Sequence, residues 1–153
     1  MSPTSVINTD MGQEQYLLIP VSIGELVDKI TILEIKKQNI KRQKAQENIS
    51  NELQLLQDSL NSWTKKFPDN LNLKSACIKK ILSRINQELW DTEESLRKHE
   101  AEDHFGQEFI KLARSVYILN DKRAQLKRSI NTIYGSNLFE EKSHNHPASR
   151  SNH

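Results

Sequence analysis

Apolar residues recur at steps of three and four along most of the chain, the spacing that places side chains on one face of a helix. The first such stripe consists of Ile23, Leu26, Ile30, Leu33 and Ile40, with Lys37 at its polar position. Ser22 precedes the stripe and Glu25 follows three residues later, which is the pattern of a capping box. We predict a first helix over residues 22–41 and a bend in the polar stretch 41–46. The alternative, one helix running on to Phe67, would be unusually long.

Two further stripes predict a second and a third helix. The second helix has the apolar positions Ile49, Leu53, Leu56, Leu60, Trp63 and Phe67. Pro68 ends it, and Asp69 and Asn70 after this proline predict a turn. The third helix is predicted over residues 73–100. Its stripe is Ile78, Ile81, Ile85, Leu89 and Leu96.

A fourth stripe follows an acidic break at Glu102 and Asp103. It consists of Phe109, Leu112, Val116, Leu119, Arg123, Leu126, Ile130 and Ile133. Gly135, directly after Tyr134, is a typical C-terminal stop for the fourth helix.

The four stripes together predict an all-α protein, either an antiparallel four-helix bundle or two long helical hairpins, because short connections favour antiparallel neighbours. Residues 16–143 form the predicted single helical domain. A flexible arm is predicted over residues 1–15 and a disordered tail over residues 144–153, which have almost no apolar content. The alternating spacing also fits a coiled-coil dimer.

The first helix carries a second apolar spot. Ile32 and Ile35 lie near the side opposite its main stripe, since each residue turns the helix by about 100°. A helix that is apolar on two sides is covered on two sides. We therefore expect it to be central in the bundle or to face a partner, and residues 16–21 or 138–139 are further candidates to cover it.

Composition and charge exclude several classes of protein. The chain has 153 residues, and 22 Lys and Arg against 20 Asp and Glu leave a formal charge of +2, without the basic excess typical of a nucleic-acid binder. One cysteine, Cys77, excludes an internal disulfide and a cysteine-based zinc site. No apolar run approaches the length of a membrane span, so we predict a cytoplasmic protein.

The chain carries no motif for a metal or an organic cofactor. It lacks the Glu-x-x-His pairs of di-metal bundles, and it lacks a phosphate-binding loop, a dinucleotide fingerprint and a nucleophile elbow. We therefore predict no metal site and no cofactor, and we assign no catalytic residue.

Arg123 is the charged residue in the fourth stripe, between Leu119 and Leu126. Burying an unpaired guanidinium is very costly, so a carboxylate or a water-filled cavity must meet it. Glu34, which flanks the stripe of the first helix, is the first choice of partner. Arg123 would then be either an anion-binding group inside the bundle or one half of a structural ion pair.

Polar residues on the first and fourth helices form a candidate binding cleft if their faces meet. The candidates are Glu25, Asp28, Lys29 and Glu34 on the first helix and Arg114, Tyr117, Asn120, Asp121, Arg123 and Lys127 on the fourth. Arginine binds planar oxyanions through two parallel hydrogen bonds, so the cleft would suit a small anionic metabolite. Solvated helix faces, with pairs such as Glu25 and Lys29, are the alternative.

In this cleft the cationic side chains Arg114, Arg123 and Lys127 would hold the anionic group. The carboxylates of Glu25, Asp28 and Asp121 would orient it, and Tyr117 and Asn120 would add neutral hydrogen bonds.

Two stretches resemble a family of small, uncharacterised, all-helical proteins of bacteria and their phages. They are PVSIGELVDKITILEIK at residues 20–36 and FIKLARSVYILNDKRAQLKRSIN at residues 109–131. The resemblance extends over residues 19–143 and implies no established activity, although relatives are associated with glycan or cell-envelope biosynthesis. Residues 41–48 lack the Asp-Pro break that such proteins often show.

Three functions therefore stay open. The leading expectation is a helical module that binds a small anionic ligand or a partner in the cleft. The alternative is a structural protein that acts through a protein partner or forms a homodimer through Ile32 and Ile35. The third is an enzyme that uses a carboxylate in the cleft as a general base.

Overall fold

The computed structural model describes residues 16–138 and residue 141, and the predicted arm 1–15 and tail 144–153 lie outside these described residues. The described chain is all-α, as predicted, and contains no strand. Its four helices are α1 (Ile23–Asn39), α2 (Gln43–Thr64), α3 (Asp69–Ala101) and α4 (Gln107–Tyr134).

The boundaries of α1 follow from its caps. The Ser22 hydroxyl accepts a hydrogen bond from the backbone N–H of Glu25 at 3.3 Å, which is half of the predicted capping box. The helix ends at Asn39, two residues earlier than predicted, and Ile40 has extended backbone. The predicted bend is confirmed, because α2 begins anew at Gln43.

The turn predicted after Pro68 is wrong. Pro68 has extended backbone and α3 starts directly behind it, at Asp69 rather than at residue 73. Proline lacks an N–H, and the first residues of a helix need none, so a helix can start here. The Asp69 carboxylate also lies in the first turn, where negative charge is favourable. At the other end α4 stops as predicted, with Gly135 in the left-handed region at φ 64°.

The α1 helix lies at the centre of the molecule and packs against each of the other three helices. One core cluster joins α1 to α3 and α4 and consists of Ile23, Val27, Leu82, Ile130 and Tyr134. A second cluster joins α1 to α2 and consists of Ile30, Leu33, Ile49 and Leu53. The second apolar spot of α1 is also covered by the chain itself, since Ile35 is only 5% exposed. The predicted central position of α1 is therefore confirmed. Ile32, the other residue of the second apolar spot, is half-buried.

The predicted stripe of α3 has the wrong register. Ile81 is 49% exposed, whereas its neighbour Leu82 is fully buried, and the inward face continues through Asn86 and Leu89. The apolar pattern does not reveal this register, because Asn86 is a polar residue although it is only 5% exposed. Its burial is explained by its hydrogen bonds, described below.

The apolar residues near the chain ends do not cover α1. Leu17 and Leu18 are 85% and 81% exposed, and Leu138 is 48% exposed, so the predicted covering role of residues 16–21 and 138 is wrong. Phe139 lies outside the described residues. The apolar second side of α1 instead faces α3 across an open groove that Ile32 and Ile35 line.

The α3–α4 hairpin extends beyond α1. At about 1.5 Å per residue, the 33 residues of α3 span about 50 Å, twice the length of the 17 residues of α1. None of residues 93–118 is buried. We call this part of the hairpin, residues 93–118, the distal arm.

A cluster of aromatic rings lies at the other end of the hairpin. It allows the contribution of one hydroxyl group, that of Tyr134, to be tested with a matched control. Tyr134 packs edge-on against Trp63 and Phe67 with ring centres 4.8 and 4.9 Å apart, and its hydroxyl donates to Asn72 Oδ1 at 2.9 Å. We expect Tyr134→Phe to lower the free energy of unfolding by about 1 kcal/mol, the typical net contribution of one hydrogen bond. Urea unfolding measures this loss. The control is Tyr117→Phe, at a 54% exposed tyrosine, and an equal loss in both variants would contradict the assignment.

Candidate functional site

A buried carboxylate lies where α1, α3 and α4 meet. The side chain of Asp28 is 3% exposed, and the Arg123 guanidinium donates two parallel hydrogen bonds to it. Nε donates to Oδ1 at 2.8 Å and Nη2 donates to Oδ2 at 2.6 Å. This bidentate geometry is the strongest that an arginine and a carboxylate can form. Asp28 on α1 therefore supplies the countercharge that Arg123 needs within the apolar stripe of α4.

Three further polar side chains form hydrogen bonds around this ion pair. Asn86 of α3 donates to Asp28 Oδ1 at 2.9 Å and to Thr31 Oγ1 at 2.8 Å. Thr31 in turn donates to the backbone carbonyl of Asp28 at 2.7 Å, and Asn120 Oδ1 accepts from Arg123 Nη1 at 3.3 Å. We call Asp28, Thr31, Asn86, Asn120 and Arg123 the Asp28 network. No buried side-chain polar atom in the described chain lacks a hydrogen-bond partner. The buried polar atoms of the network are therefore all hydrogen-bonded, as burial requires.

The expected partner of Arg123 is wrong. Glu34 forms a half-buried ion pair with Lys79 of α3, at 2.9 Å. Glu34 is six positions after Asp28, which rotates its side chain by about 240° around the helix axis relative to that of Asp28. Asp28 therefore points toward α4 and Glu34 toward α3.

The same α1–α4 contact continues along the helices as a polar ladder. One turn beyond Arg123, the Lys127 ammonium lies 2.7 Å from Glu25 Oε1, and the Lys127 side chain is only 10% exposed. Another turn further, Asn131 Oδ1 accepts from the backbone N–H of Gly24 at 2.7 Å. Arg123, Lys127 and Asn131 thus meet Asp28, Glu25 and Gly24 in antiparallel order. Of the residues predicted to line a cleft, the structure brings Glu25, Asp28, Arg123 and Lys127 together here.

Gly24 permits this close approach of the two helices. A Cβ atom at this position would lie 2.4 Å from the backbone oxygen of Lys127 and 2.8 Å from Asn131 Oδ1. Both distances are shorter than any ordinary van der Waals contact, and the first atom belongs to a helix backbone that cannot rotate away. A glycine in the first turn of an otherwise regular helix was the available sequence signal.

Several predicted cleft residues lie elsewhere. Lys29 forms an exposed ion pair with Glu52 of α2, at 2.7 Å. Arg114 and Tyr117 are exposed, and Asp121 is half-buried. Tyr117 lies two residues from the buried Leu119, so the two side chains point to nearly opposite sides of α4. The structure therefore does not bring Lys29, Arg114 and Tyr117 together with Asp28 and Arg123 in one cleft.

Sequence reasoning missed Thr31, Asn86, Asn131 and Gly24. The first three are uncharged polar residues at positions that face the core. Each is short enough to fit between helices, and its partner lies on another helix, more than 50 residues away for Asn86 and more than 100 for Asn131. Such partners are not recognisable from local spacing.

An open groove of about 260 Å³ lies on the outer side of the Asp28 network. It is lined by Ile32, Ile35, Lys36, Asn86, Leu89, Trp90, Glu93, Arg97 and Arg123. The aliphatic side chains and the half-buried Trp90 form an apolar wall, and Arg123, 27% exposed, reaches the groove from the network. The groove therefore combines a small apolar wall with charged side chains, as ligand sites commonly do.

Cationic side chains outnumber carboxylates in the lining of the groove. Lys36, Arg97 and Arg123 are cationic and Glu93 is the one carboxylate in the lining. Arg97 lies 3.7 Å from Glu93 and 3.5 Å from Glu94 in exposed pairs, which are weak in water. Within the part of the chain that the structure describes, Lys36 forms no ion pair.

Two classes of site are absent from the described part of the chain. No group of three histidine, cysteine or carboxylate side chains among residues 16–138 and 141 is placed to hold a metal ion. None of the helices formed by these residues is long and apolar enough to cross a membrane.

Comparison with known protein families identifies the chain at the family level. The sequence pattern of DUF6165, a family of unknown function, matches residues 17–153. The chain belongs to this family. The α1–α4 polar ladder and the groove both lie within the DUF6165 match. No match was found among curated proteins or among solved structures.

Proposed function

We propose that this DUF6165 member is a binding module for a small anionic ligand, which it holds in the groove between α1, α3 and α4. The observation that carries the proposal is the lining of the groove, where Lys36 and Arg123 flank the apolar wall around Trp90. Ligand sites combine apolar surface with a few oriented polar groups. The ligand would place its anionic group near Lys36 and an apolar or planar part against Trp90.

The Asp28 network would hold Arg123 in place for this role. The two hydrogen bonds that the Arg123 guanidinium donates to Asp28 fix its plane, so little of its side-chain freedom is lost when a ligand binds. Because Asp28 also offsets the charge of Arg123, we assign the main attraction for the anion to Lys36 and a directional hydrogen bond to Arg123. This differs from the expectation that Arg114, Arg123 and Lys127 bind the anion together.

A structural role is the second candidate, favoured by the closure of the Asp28 network. A satisfied polar network specifies one arrangement of helices. In that case the groove would be an ordinary surface depression, and the homodimer or protein partner would form on another face.

A catalytic role has less support. The Asp28 carboxylate is buried and both its oxygens accept hydrogen bonds, so it is not placed to take a proton from a ligand in the groove. Glu93, the carboxylate in the lining, is about half exposed. We assign no reaction.

The first experiment measures the thermal midpoint with inorganic phosphate, glucose 1-phosphate, uridine diphosphate glucose and citrate at constant ionic strength. The sugar ligands are included because the sequence resemblance associates relatives with glycan biosynthesis. A ligand present at about 100 times its Kd should raise the midpoint by roughly 5–10 °C.

The matched pair of variants is Lys36→Met and Lys37→Met. Both remove one lysine charge from α1, but Lys36 lines the groove and Lys37 is an exposed neighbour outside it. We expect Lys36→Met to abolish the ligand-induced shift and Lys37→Met to retain it. A shift lost equally in both variants would mean non-specific charge attraction. No shift with any of the four ligands would favour the structural role.

A further inference from the structure

The outer face of α4 carries residues that the proposed ligand groove does not use. Ile110, Arg114, Tyr117 and Asp121 follow one another at steps of four, three and four residues, so they lie on one side of the helix. Leu119 and Ile130, on the opposite side, are 3% and 0% exposed. We call these four residues the outer α4 stripe.

The apolar members of this stripe are exposed in the described chain. Ile110 is 46% exposed and Tyr117 is 54% exposed, and the adjacent Ile118 is 43% exposed. Ile110, Tyr117 and Ile118 belong to the distal arm, where no residue is buried. Large apolar side chains that recur at helical spacing on an outer face are typical of a helix that packs against a further helix.

The charges of the stripe indicate what that further helix is. Arg114 and Asp121 carry opposite charge and stand seven residues apart, three residues before and four residues after Tyr117. In an antiparallel pair of identical helices centred between Tyr117 and Ile118, Arg114 of each copy meets Asp121 of the other. A parallel pair would place like charges opposite each other. The stripe is therefore complementary to itself in the antiparallel direction alone, as a two-fold interface requires.

We propose that two copies of the chain pair through the outer α4 stripe in antiparallel orientation, with Tyr117 and Ile118 at the centre and an Arg114–Asp121 pair on either side. One helix face per copy is a small interface, so the dimer is weak, with a dissociation constant on the order of tens of micromolar. The proposal is independent of the ligand groove, which lies on another side of the molecule.

Sedimentation velocity over about 5–500 μM full-length protein tests the proposal, since this range brackets the expected constant. Wild type should shift from monomer to dimer. Arg114→Asp makes the stripe wholly acidic and Asp121→Arg makes it wholly basic, so each variant alone should associate at least about tenfold more weakly. The control Lys122→Asp changes charge equally at an exposed α4 position outside the stripe, and it should dimerise like wild type.

The decisive experiment mixes the two single variants. An acidic stripe and a basic stripe are complementary, so an equimolar mixture of Arg114→Asp and Asp121→Arg should form a heterodimer although neither variant forms a homodimer. This rescue also shows that both variants are folded. Wild type that stays monomeric up to about 500 μM, an order of magnitude above the expected constant, would overturn the proposal. Equal weakening by Lys122→Asp, or a mixture that does not associate, would overturn it too.

Discussion

Replacing Arg123 with Met is expected to lower the free energy of unfolding by about 3–5 kcal/mol, the cost of breaking a buried ion pair by removing one partner. The side chain of Asp28 is only 3% exposed. Without Arg123 it retains hydrogen bonds from Asn86 but loses its countercharge. Most of the expected loss of stability therefore comes from burying the Asp28 carboxylate without its countercharge. The smaller contribution comes from the lost packing of the Arg123 side chain.

A double-mutant cycle separates these two contributions. Asp28→Asn keeps the size of the side chain and its acceptor for Asn86 but removes the charge. We expect Arg123→Met to cost at least about 1.5 kcal/mol less in the Asp28→Asn background than in wild type, because the two residues are directly coupled. Urea unfolding at neutral pH measures all four proteins. Additive effects of the two substitutions would contradict a direct charge pair between them.

Gly24→Ala is expected to have the second largest effect, a loss of about 2–3 kcal/mol. The added Cβ would lie 2.4 Å from the backbone oxygen of Lys127, so α1 must move away from α4. That movement lengthens the hydrogen bond between Gly24 and Asn131 and disturbs the rest of the polar ladder. The gain of alanine over glycine in helix propensity, up to about 1 kcal/mol, offsets only part of this loss.

Gly106→Ala is the matched control for Gly24→Ala. Gly106 precedes α4 with φ −76°, and no atom lies within 4 Å of the Cβ that alanine would add. Because Gly106 is the N-cap of α4, where glycine is preferred to alanine, we expect a small fall in the thermal midpoint of Gly106→Ala and a clearly larger fall, by several degrees, for Gly24→Ala. Equal midpoints for the two variants would show that α1 and α4 do not approach as closely as the structure places them.

The fold was largely predictable because it depends on apolar periodicity. Residues of the predicted stripes lie in both core clusters, Ile23 and Ile130 in the first and Ile30, Leu33, Ile49 and Leu53 in the second. The Ser22 cap and the Gly135 stop act through local hydrogen bonds and backbone conformation. The register of α3 was not predictable in this way. Its inward face includes Asn86, which is buried because of a partner on α1 and not because of its own hydropathy.

The site was predictable in part. Arg123 stood out because a charged residue in an apolar stripe requires a partner, and Asp28, Glu25 and Lys127 were among the residues expected near it. The pairing itself was wrong, since the choice between Asp28 and Glu34 depends on the rotation of α1 relative to α4. That rotation is set by packing of residues far apart in sequence, including the close approach at Gly24.

The central claim, that a ligand occupies the groove, is tested most directly by the two tryptophan side chains. Trp90 lines the groove, whereas Trp63 packs against Phe67 and Tyr134 in the core. The chain has only these two tryptophans, so an amide correlation spectrum of uniformly labelled protein has two indole N–H signals that single Trp→Phe variants assign.

We expect titration with the ligand that raises the thermal midpoint most to move the Trp90 indole signal and leave the Trp63 signal in place. The Lys36→Met variant should show neither change at the same ligand concentration. A ligand that moves only Trp63, or one that stabilises the protein without moving Trp90, would contradict binding in the groove. If none of the four probe ligands moves Trp90 at concentrations up to about 10 mM, where even weak binding of a small anion saturates, the binding-module proposal is wrong.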